Sequence, residues 1–373
     1  MRRASFAGRV RVVVDLPALP VLKPALRVLW RDDSTLQLGI EARHAVVLDG
    51  VTRADKTVLA LLDGSRGVDA LLTAARDHGV DADVVHRLLE TLSAAGVLED
   101  AAASIRWRSE LDRQRLAPDG LSLSLLHRDP GAAARVLAVR SSAVVAVHGT
   151  GRVGAQVATL LAAAGVGDVS CVDSTPLSGA DLAPGGIPAL RAGTRGAAAA
   201  DRIAELVPTA RVATSAPAAV TLAVVTATTV PSPEVVVAVR DHPHLFVLVR
   251  ETCAVVGPLV VPGRSTCWRC VQIARADRDP AWPALSAQLS GDRAAAPLDI
   301  ALGSLAASLA AVEALHWVDT RHDVTTVGGV LELDLADGRL RRRSVTPHPD
   351  CGCGAAADHA VMAWDGEDSG LTA

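Results

Sequence analysis

The sequence predicts an α/β protein in two parts, a small winged-helix domain followed by a larger Rossmann-like domain with a structural zinc site. Three observations predict it. Strand-like segments precede three helical segments within the first hundred residues, a strand, glycine turn and helix begin at residue 141, and two close pairs of cysteines follow. At 373 residues the chain is long enough for two domains of ordinary size.

The composition is that of a soluble globular protein. Half of the residues are hydrophobic, 21% are charged and the formal net charge is -4, which excludes wholesale disorder and offers no general footprint for nucleic acid. Arg9, Arg11 and Asp15 interrupt the apolar stretch that a signal peptide would need, and the Ala-rich run 300–312 is too short to span a membrane. We expect a buried helix there and a cytoplasmic protein, with neither nucleic acid nor a membrane as its partner.

Residues 1–100 are expected to form the winged helix. The segments LRVLW, LQLGI and HAVVLDG alternate as strands do, and the period becomes helical after Thr52. Thr52 and Asp55 have the spacing of a capping box at a helix start, and two further helical segments each end in glycine. A winged helix raises the alternative of DNA binding, but residues 51–100 hold more acidic than basic side chains and would repel phosphates.

Residues 101–140 are expected to link the two domains. The segment has a polar helical stretch, RWRSELDRQRL, and a predicted turn at APDG before the next strand. At the other end of the chain, residues 358–373 have the composition of a flexible tail. The larger domain is therefore expected to span residues 141–357.

The larger domain opens with a nucleotide-binding pattern. The segment SSAVVAVHGTGRVGAQVATLLAAAGVGDVSCVDS contains Gly149, Gly151 and Gly154 between a strand and a helix, and Asp173 at the end of a second strand. Such glycines allow a tight turn, close approach of a phosphate and close helix packing, and the acid holds ribose hydroxyls. The alternative is a glycine turn that only packs. The flanking strand, helix and acid favour the Rossmann interpretation.

Four cysteines further along the chain have the spacing of a metal site. Cys267 and Cys270 form a CxxC, and Cys351 and Cys353 form a CxC about 80 residues later. Disulfides are the alternative, but the cytosol disfavours them, so the pattern favours tetrahedral zinc. Four sulfur ligands leave no open position for water, which predicts a structural ion rather than a catalytic one.

The remaining cysteines and the C-terminal histidines are given ordinary structural interpretations. Cys171 and Cys253 lie in apolar, strand-like segments and are expected to be small buried hydrophobic residues. His348 and His359 flank the CxC. With four thiols available, we expect solvated loop histidines rather than zinc ligands.

Two surface features leave alternatives open. Arg339 and the run 341–343 form a basic cluster that is either a solvated strand end or a contact for an acidic peptide or partner. Trp268 and Trp282 either mark a partner surface or pack over the cysteine site.

Residues 141–357 resemble the ThiF, MoeB and HesA family, relatives of the ubiquitin-activating enzymes. The resemblance is carried by the glycine loop, Asp173, the hairpin HLFVLVRETCAVVGPLVVPG, the CxxC, the helix ALGSLAASLAAVEALHWV and the closing HPDCGCG. It implies a Rossmann fold that binds nucleotide at Gly149, Gly151, Gly154 and Asp173. It also implies a homodimer.

The segment PGRSTCWRCVQIARADRDPAWP, together with HPDCGCG, is similar to one branch of that family, the ocin-ThiF-like or cyclodehydratase-associated proteins. The resemblance implies binding of precursor leader peptides in azole-forming peptide pathways. It also implies that residues 1–100 are a RiPP recognition element similar to PqqD, and that the partner enzyme is a YcaO-type cyclodehydratase.

Three departures from the adenylating relatives bear on chemistry. Asp181 or Pro184 stands where those relatives carry an Arg, Arg195 replaces a Lys at the start of the next helix, and Thr228 and Thr229 stand where an Asp would hold magnesium. Nucleotidyl transfer needs cations to offset the charge that develops on the phosphates. ATP binding is therefore doubtful, Arg195 is the remaining candidate contact to a phosphate, and we assign no catalytic residue.

Three functions compete at this point. The leading hypothesis is a leader-peptide-binding partner of a cyclodehydratase, because the stretch 271–300 also lacks the cysteine that many relatives use as a nucleophile. The alternative is an ATP-dependent adenylyltransferase that activates the C-terminus of a small protein or peptide with the help of Arg195. A nicotinamide dehydrogenase is the weakest, since no catalytic His or Lys follows a plausible hydride site.

Overall fold

The structure is a computed structural model that describes residues 2–5, 16–103, 105–291 and 297–355. It divides the chain into two compact units, Met1–Val139 and Arg140–Ala373. The tail predicted for residues 358–373, including His359, lies outside the described residues.

The first unit contains two small sheets and five helices among its described residues. Its strands are β1 (Arg2–Ser5), β2 (Pro20–Leu22), β3 (Val28–Trp30), β4 (Leu36–Leu38), β5 (Val46–Asp49) and β6 (Leu98–Asp100). Its helices are α1 (Arg53–Leu61), α2 (Val68–Asp77), α3 (Ala82–Ala95), α4 (Glu110–Leu126) and α5 (Ala132–Ser142), the last of which crosses the boundary between the units. One sheet has the order β1-β5-β4-β3, with only β1 and β5 parallel, and β2 pairs with β6.

Helix α1 begins as the capping pattern predicts. The backbone N–H of Asp55 donates to Thr52 Oγ1 over 3.2 Å, and the N–H of Thr52 donates to Asp55 Oδ2 over 2.8 Å. The buried Asp55 carboxylate also meets Arg87 of α3 at 3.1 Å. The cap therefore joins the start of α1 to α3, and apolar side chains of the helices and of β4 and β5 form one core behind it.

Helix α4 runs through Pro118, so the turn predicted at APDG is wrong. A proline inside a helix removes one backbone hydrogen bond. The packing of Leu123 in a buried cluster with Leu137 of α5 compensates for it. The C-terminal carbonyls of α4 have a partner as well, because buried Lys23 donates through Nζ to Ser124 O over 2.6 Å and to the carbonyl of His127.

The second unit is built on an eight-stranded mixed sheet. Its strands are β7 (Val144–His148), β8 (Asp168–Val172), β9 (Arg211–Ala213), β10 (Leu222–Thr228), β11 (His244–Arg250), β12 (Cys253–Val260), β13 (Gly329–Asp334) and β14 (Leu340–Ser344). Its helices are α6 (Gly154–Ala163), α7 (Arg195–Leu206), α8 (Pro233–Val239), α9 (Trp268–Arg278), α10 (Trp282–Gly291) and α11 (Ile300–Thr320). The sheet has the order β14-β13-β12-β11-β10-β7-β8-β9.

The order of the parallel strands positions the site. Strands β9, β8, β7, β10 and β11 are parallel, whereas β12, β13 and β14 continue the sheet in antiparallel pairing. Strand β7 lies between β8 and β10, so the chain reverses its direction across the sheet at β7. Ligands of open α/β sheets bind at such a switch point, outside the carboxyl ends of the strands. The α/β prediction is confirmed for this unit, and its layout is consistent with a Rossmann-like fold.

Helix α11 is the apolar helix expected from the Ala-rich run. By length and composition it could cross a membrane, and it is the only described helix of which this is true. Half of it is buried, however, and Ala306, Ala310 and Trp317 belong to the main core of the second unit. Glu313 on the same helix is buried and accepts hydrogen bonds from the backbone N–H and the hydroxyl of Thr326 at 3.0 and 2.8 Å. A core helix accounts for these contacts.

Candidate functional site

The glycine loop connects β7 to α6 at the switch point. Gly149 has a φ of 84°, the left-handed region that favours glycine. A Cβ on Gly154 would lie 1.9 Å from the carbonyl oxygen of Gly149, so the first turn of α6 can approach the loop only without a side chain. Gly151 faces the Asp181 carboxylate and the Arg195 guanidinium, at 3.4 and 3.7 Å from a notional Cβ. The first and third glycines thus have the geometry that the sequence predicts.

Asp173 follows β8 and bonds back to the glycine loop. Its Oδ2 accepts from the backbone N–H of Thr150 at 2.8 Å, and its Oδ1 accepts from the N–H of Thr175 at 2.9 Å. The carboxylate is half-buried at the carboxyl end of the strand. That position and charge suit a ribose hydroxyl, which would bind beside the loop.

Arg195 begins α7 and forms an ion pair within the loop region. Its NH2 lies 2.8 Å from Asp181 Oδ1, and the Asp181 side chain is only 5% exposed. Burial would raise the pKa of Asp181, but hydrogen bonds from Arg195 and Ser178 outweigh it and hold that pKa below its ordinary value. Asp181 is therefore a carboxylate. Arg195, the cation that the sequence analysis assigned to a phosphate, is therefore already paired with the Asp181 carboxylate.

Threonines occupy the end of β10, where the adenylating relatives are expected to hold magnesium. Thr226 donates its hydroxyl to the carbonyl of Gly149, which ties β10 to the glycine loop. Thr228 is exposed, and Thr229 is half-buried with a φ of 74°, an uncommon conformation for a β-branched residue. None of the three supplies a carboxylate.

The four predicted cysteines come together at the start of α9. Cys267 Sγ lies 3.7 Å from Cys270 Sγ and 3.6 Å from Cys351 Sγ, and Cys270 Sγ lies 3.6 Å from Cys353 Sγ. All four sulfurs lie within 4.8 Å of one another. Tetrahedral zinc with Zn–S bonds of ~2.3 Å places its sulfurs roughly 3.8 Å apart, so the cluster could hold such an ion.

Local hydrogen bonds favour a thiolate at Cys270, whereas burial raises the pKa of Cys267 and of Cys351. Burial would raise the pKa of Cys270, but backbone hydrogen bonds from His348 and Cys267 outweigh it and lower that pKa to about 7. The His348 ring contacts Asp277 of α9 at 2.7 Å through Nε2 and accepts from the N–H of Asp350 at 3.1 Å through Nδ1. Both ring nitrogens are therefore engaged, and His348 orients the CxC loop against α9. Its side chain is only 12% exposed, so the expectation of a solvated loop histidine is wrong for His348.

The other cysteines and the tryptophans have separate surroundings. Cys171 is fully buried, as predicted, and burial raises its pKa to about 12. Cys253 is only half-buried, so the expectation of a buried residue is wrong there: β12 begins at Cys253, where the sheet reaches solvent. Trp268 packs on Phe246 with ring centroids 4.9 Å apart, whereas Trp282 is half-buried and lies against Arg275.

The comparisons with known proteins agree with this layout. The sequence profile of the family described as ThiF family matches residues 132–355, more than half of the chain. A sequence comparison with curated proteins gives no match.

Solved structures with the same fold cover nearly the whole chain. MccB from E. coli with ATP has a TM-score of 0.65 at 14% identity, covering 90% of this chain and 99% of that one. The microcin C7 biosynthetic enzyme MccB in complex with N-formylated MccA gives the same four values. PaaA, solved with selenomethionine, has a TM-score of 0.64 at 15% identity, covering 86% of this chain and 99% of that one. At these identities the likeness shows the fold.

Proposed function

This chain belongs to the ThiF family, and on that basis we propose that it binds the leader segment of a precursor peptide and presents that peptide to a YcaO-type cyclodehydratase in an azole-forming pathway. In this proposal the first unit is a winged helix that acts as the recognition element, and the second unit docks the partner enzyme. The cysteine cluster holds a structural zinc ion. The protein itself transfers no nucleotidyl group.

The observation that carries the proposal is the edge of the four-stranded sheet at β3. Strand β1 forms the opposite edge, and β3 pairs with β4 alone among the described strands. The side chains of Val28, Leu29 and Trp30 are 49%, 39% and 46% exposed, an unusual run for an apolar strand. Unpaired backbone groups beside exposed apolar side chains suit the addition of a peptide strand.

The hydrogen-bond register shows which backbone groups of β3 are free to pair. The N–H of Gly39 donates to Arg27 O, and the N–H of Arg31 donates to Thr35 O, both towards β4. Because antiparallel strands alternate their bonding direction, the backbone groups of Val28 and Trp30 point away from β4. Those groups are available to an added strand.

A similar structure supports a peptide ligand. MccB has been solved with N-formylated MccA, and it shares its fold with this chain over 90% of the chain's length. A peptide is thus bound by a protein of this architecture, although the identity of the peptide for this chain is our inference.

The charges around the glycine loop support a binding role over nucleotidyl transfer. Arg195 is neutralised by Asp181 at 2.8 Å, and Thr229 stands where a metal-binding carboxylate is expected. A triphosphate at Gly151 would meet a carboxylate beside the guanidinium. Without a metal ion to offset the charge that develops during transfer, the barrier would stay high.

The test of peptide binding uses the full chain and a candidate leader peptide, with fluorescence anisotropy as the readout. Val28→Pro removes a backbone donor that points away from β4, and the matched control Val28→Thr keeps that donor. We expect the proline variant to bind at least about ten-fold more weakly and the threonine variant to bind within a few-fold of the unchanged protein. Equal binding by all three proteins would refute strand addition at β3.

A second candidate function is ATP-dependent adenylation of a peptide C-terminus. It is favoured by one observation, the similarity over 90% of the chain to MccB solved with ATP, together with the intact glycine loop and Asp173. Pyrophosphate exchange in the presence of ATP, magnesium and the peptide separates the two. We expect no exchange, and exchange that a chelator abolishes would replace our proposal with this one.

A further inference from the structure

A pocket rich in arginine lies outside the glycine loop, at the same carboxyl ends of the parallel strands. It is a cavity of about 440 Å³. Four arginines, one tryptophan and one carboxylate line it together with Thr229: Arg250, Arg275, Arg278, Arg343, Trp282 and Glu332. We call it the arginine pocket.

The fold brings these residues together from distant parts of the sequence. Arg250 is the last residue of β11, and Thr229 directly follows β10, so both lie at the carboxyl ends of parallel strands. Arg275 and Arg278 lie on the last turns of α9, the helix that begins at the cysteine cluster. Arg343 comes from β14. The pocket therefore lies beside β10 and β11, which are the first and second strands from β7, the strand that carries the glycine loop.

The pocket contains more positive than negative charge. Arg343 and Glu332 form an ion pair, which leaves Arg250, Arg275 and Arg278 without an ion-pair partner in the described part of the chain. Nε of Arg250 is buried without any hydrogen-bond acceptor. A buried donor without an acceptor costs free energy, and so does crowding of like charges.

The guanidinium of Arg275 has a strongly lowered pKa. Burial, followed by repulsion from Arg250 and Arg278, lowers its pKa to about 10. It lies over the Trp282 ring at 4.8 Å from the centroid, and Trp282 is fixed in turn by donating from Nε1 to Gln272 Oε1 over 2.8 Å. The cation is therefore held in place beside a flat apolar wall rather than extended into water.

Charges on an exposed edge strand usually serve to keep that edge from pairing. That explanation covers Arg341, which pairs with Asp337, and Arg342, which donates to the carbonyl of Thr325. It does not cover Arg250 and Arg275, which are half-buried on a central strand and on a helix.

We infer that the arginine pocket binds a side-chain carboxylate of an acidic peptide. Guanidinium groups match a carboxylate through paired N–H donors, and Glu332 already occupies one side of the pocket, where it accepts from Arg343 Nε. Trp282 supplies an apolar surface for the methylene groups of an Asp or Glu side chain. The inference rests on the proposed function only in that the acidic segment is taken to belong to the bound peptide.

The experiment uses the full chain with fluorescein-labelled hexaglutamate and hexaglutamine, and it measures anisotropy at low ionic strength. We expect hexaglutamate to bind and hexaglutamine to bind much more weakly. Arg275→Gln should weaken hexaglutamate binding by about ten- to a hundred-fold, as loss of a charge-assisted bond does. Arg343→Gln, at the exposed side of the pocket, is a second variant that leaves the buried packing in place.

The matched control is Arg240→Gln. Arg240 caps α8, is 67% exposed and pairs with Asp241, so the variant loses the same charge away from the pocket. Equal hexaglutamate affinity of the Arg240 and Arg275 variants overturns the inference. Binding of inorganic phosphate without binding of hexaglutamate overturns it too, because the pocket would then be a phosphate site.

This test and the test of the proposed function fail separately. The Val28→Pro protein should keep hexaglutamate binding, since Val28 lies in the other unit. If the unchanged protein binds hexaglutamate but not the leader peptide, the proposed function alone is rejected. Leader binding without any hexaglutamate binding rejects the arginine pocket alone.

Discussion

Replacement of Cys270 by serine tests directly whether the cysteine cluster holds zinc. Cys270 is fully buried, and its sulfur lies 3.7 Å from that of Cys267 and 3.6 Å from that of Cys353. The serine hydroxyl fits the space but is not deprotonated near neutral pH, whereas a structural zinc site needs a thiolate. One of four ligands is therefore lost with little change in volume.

The expected magnitude follows from the affinity of such sites. Zinc bound by structural sites has an apparent binding free energy of about 10–16 kcal/mol, so an even share for one ligand is roughly 2.5–4 kcal/mol. That share corresponds to a zinc affinity lowered by roughly 100- to 1000-fold. Since whole domains are stable by only about 5–15 kcal/mol, α9 should then open locally.

The assay is zinc content after dialysis against a weak chelator, followed by hydrogen exchange of the α9 amides. Cys253→Ser is the matched control, because Cys253 is a half-buried cysteine outside the cluster. We expect the control to keep its zinc and the slow exchange of α9. Full retention of zinc by the Cys270→Ser protein would refute a four-thiolate site. Absence of zinc from the unchanged protein would refute it as well.

Two further predictions concern the stability of the second unit. Asp319→Asn should lower the free energy of unfolding in urea by about 3–5 kcal/mol, because Asp319 forms a 2.6 Å ion pair with Arg140 and its loss leaves a buried cation; the two side chains are 9% and 7% exposed. The double variant Arg140→Met, Asp319→Leu should recover most of that stability. An Asp319→Asn protein as stable as the unchanged protein would contradict the argument. Burial lowers the pKa of His244 to about 4 from 6.5. The folded state therefore resists protonation, and stability falls as the pH drops from 6.5 to 4, by about 3 kcal/mol in all. His244→Phe should flatten unfolding curves measured across that interval, and an unchanged pH dependence would count against it.

The features that the sequence predicted are those specified by residues close together in the chain. The turn at Gly149, the packing at Gly154 and the cap at Thr52 each depend on neighbours within about five residues. The cysteine cluster is the exception in distance, since its two pairs lie about 80 residues apart. It was still predictable because each pair has a spacing that suits one tetrahedral ion.

The features that were missed depend on contacts between distant segments. Lys23 reaches the end of α4 about a hundred residues later, and no local pattern marks it as buried. The pairing of Arg195 with Asp181 needs the loop between β8 and α7 to fold back, and periodicity carries no information on that loop. The prediction of a turn at Pro118 was wrong for a related reason: the packing of α4 against α5 outweighed the preference of proline for turns.

The distribution of charge at the carboxyl edge of the sheet favours anion binding at the arginine pocket over the glycine loop. At the loop, Arg195 and Asp181 cancel and Arg152 donates to the carbonyl of Leu298, so a phosphate that binds must displace or tolerate the Asp181 carboxylate. In the pocket, four guanidinium groups accompany the single carboxylate of Glu332, so an incoming anion relieves repulsion between Arg250 and Arg275, which are half-buried. The cationic charge that nucleotidyl transfer would require at the loop is therefore concentrated in the arginine pocket, where it suits recognition of an acidic ligand.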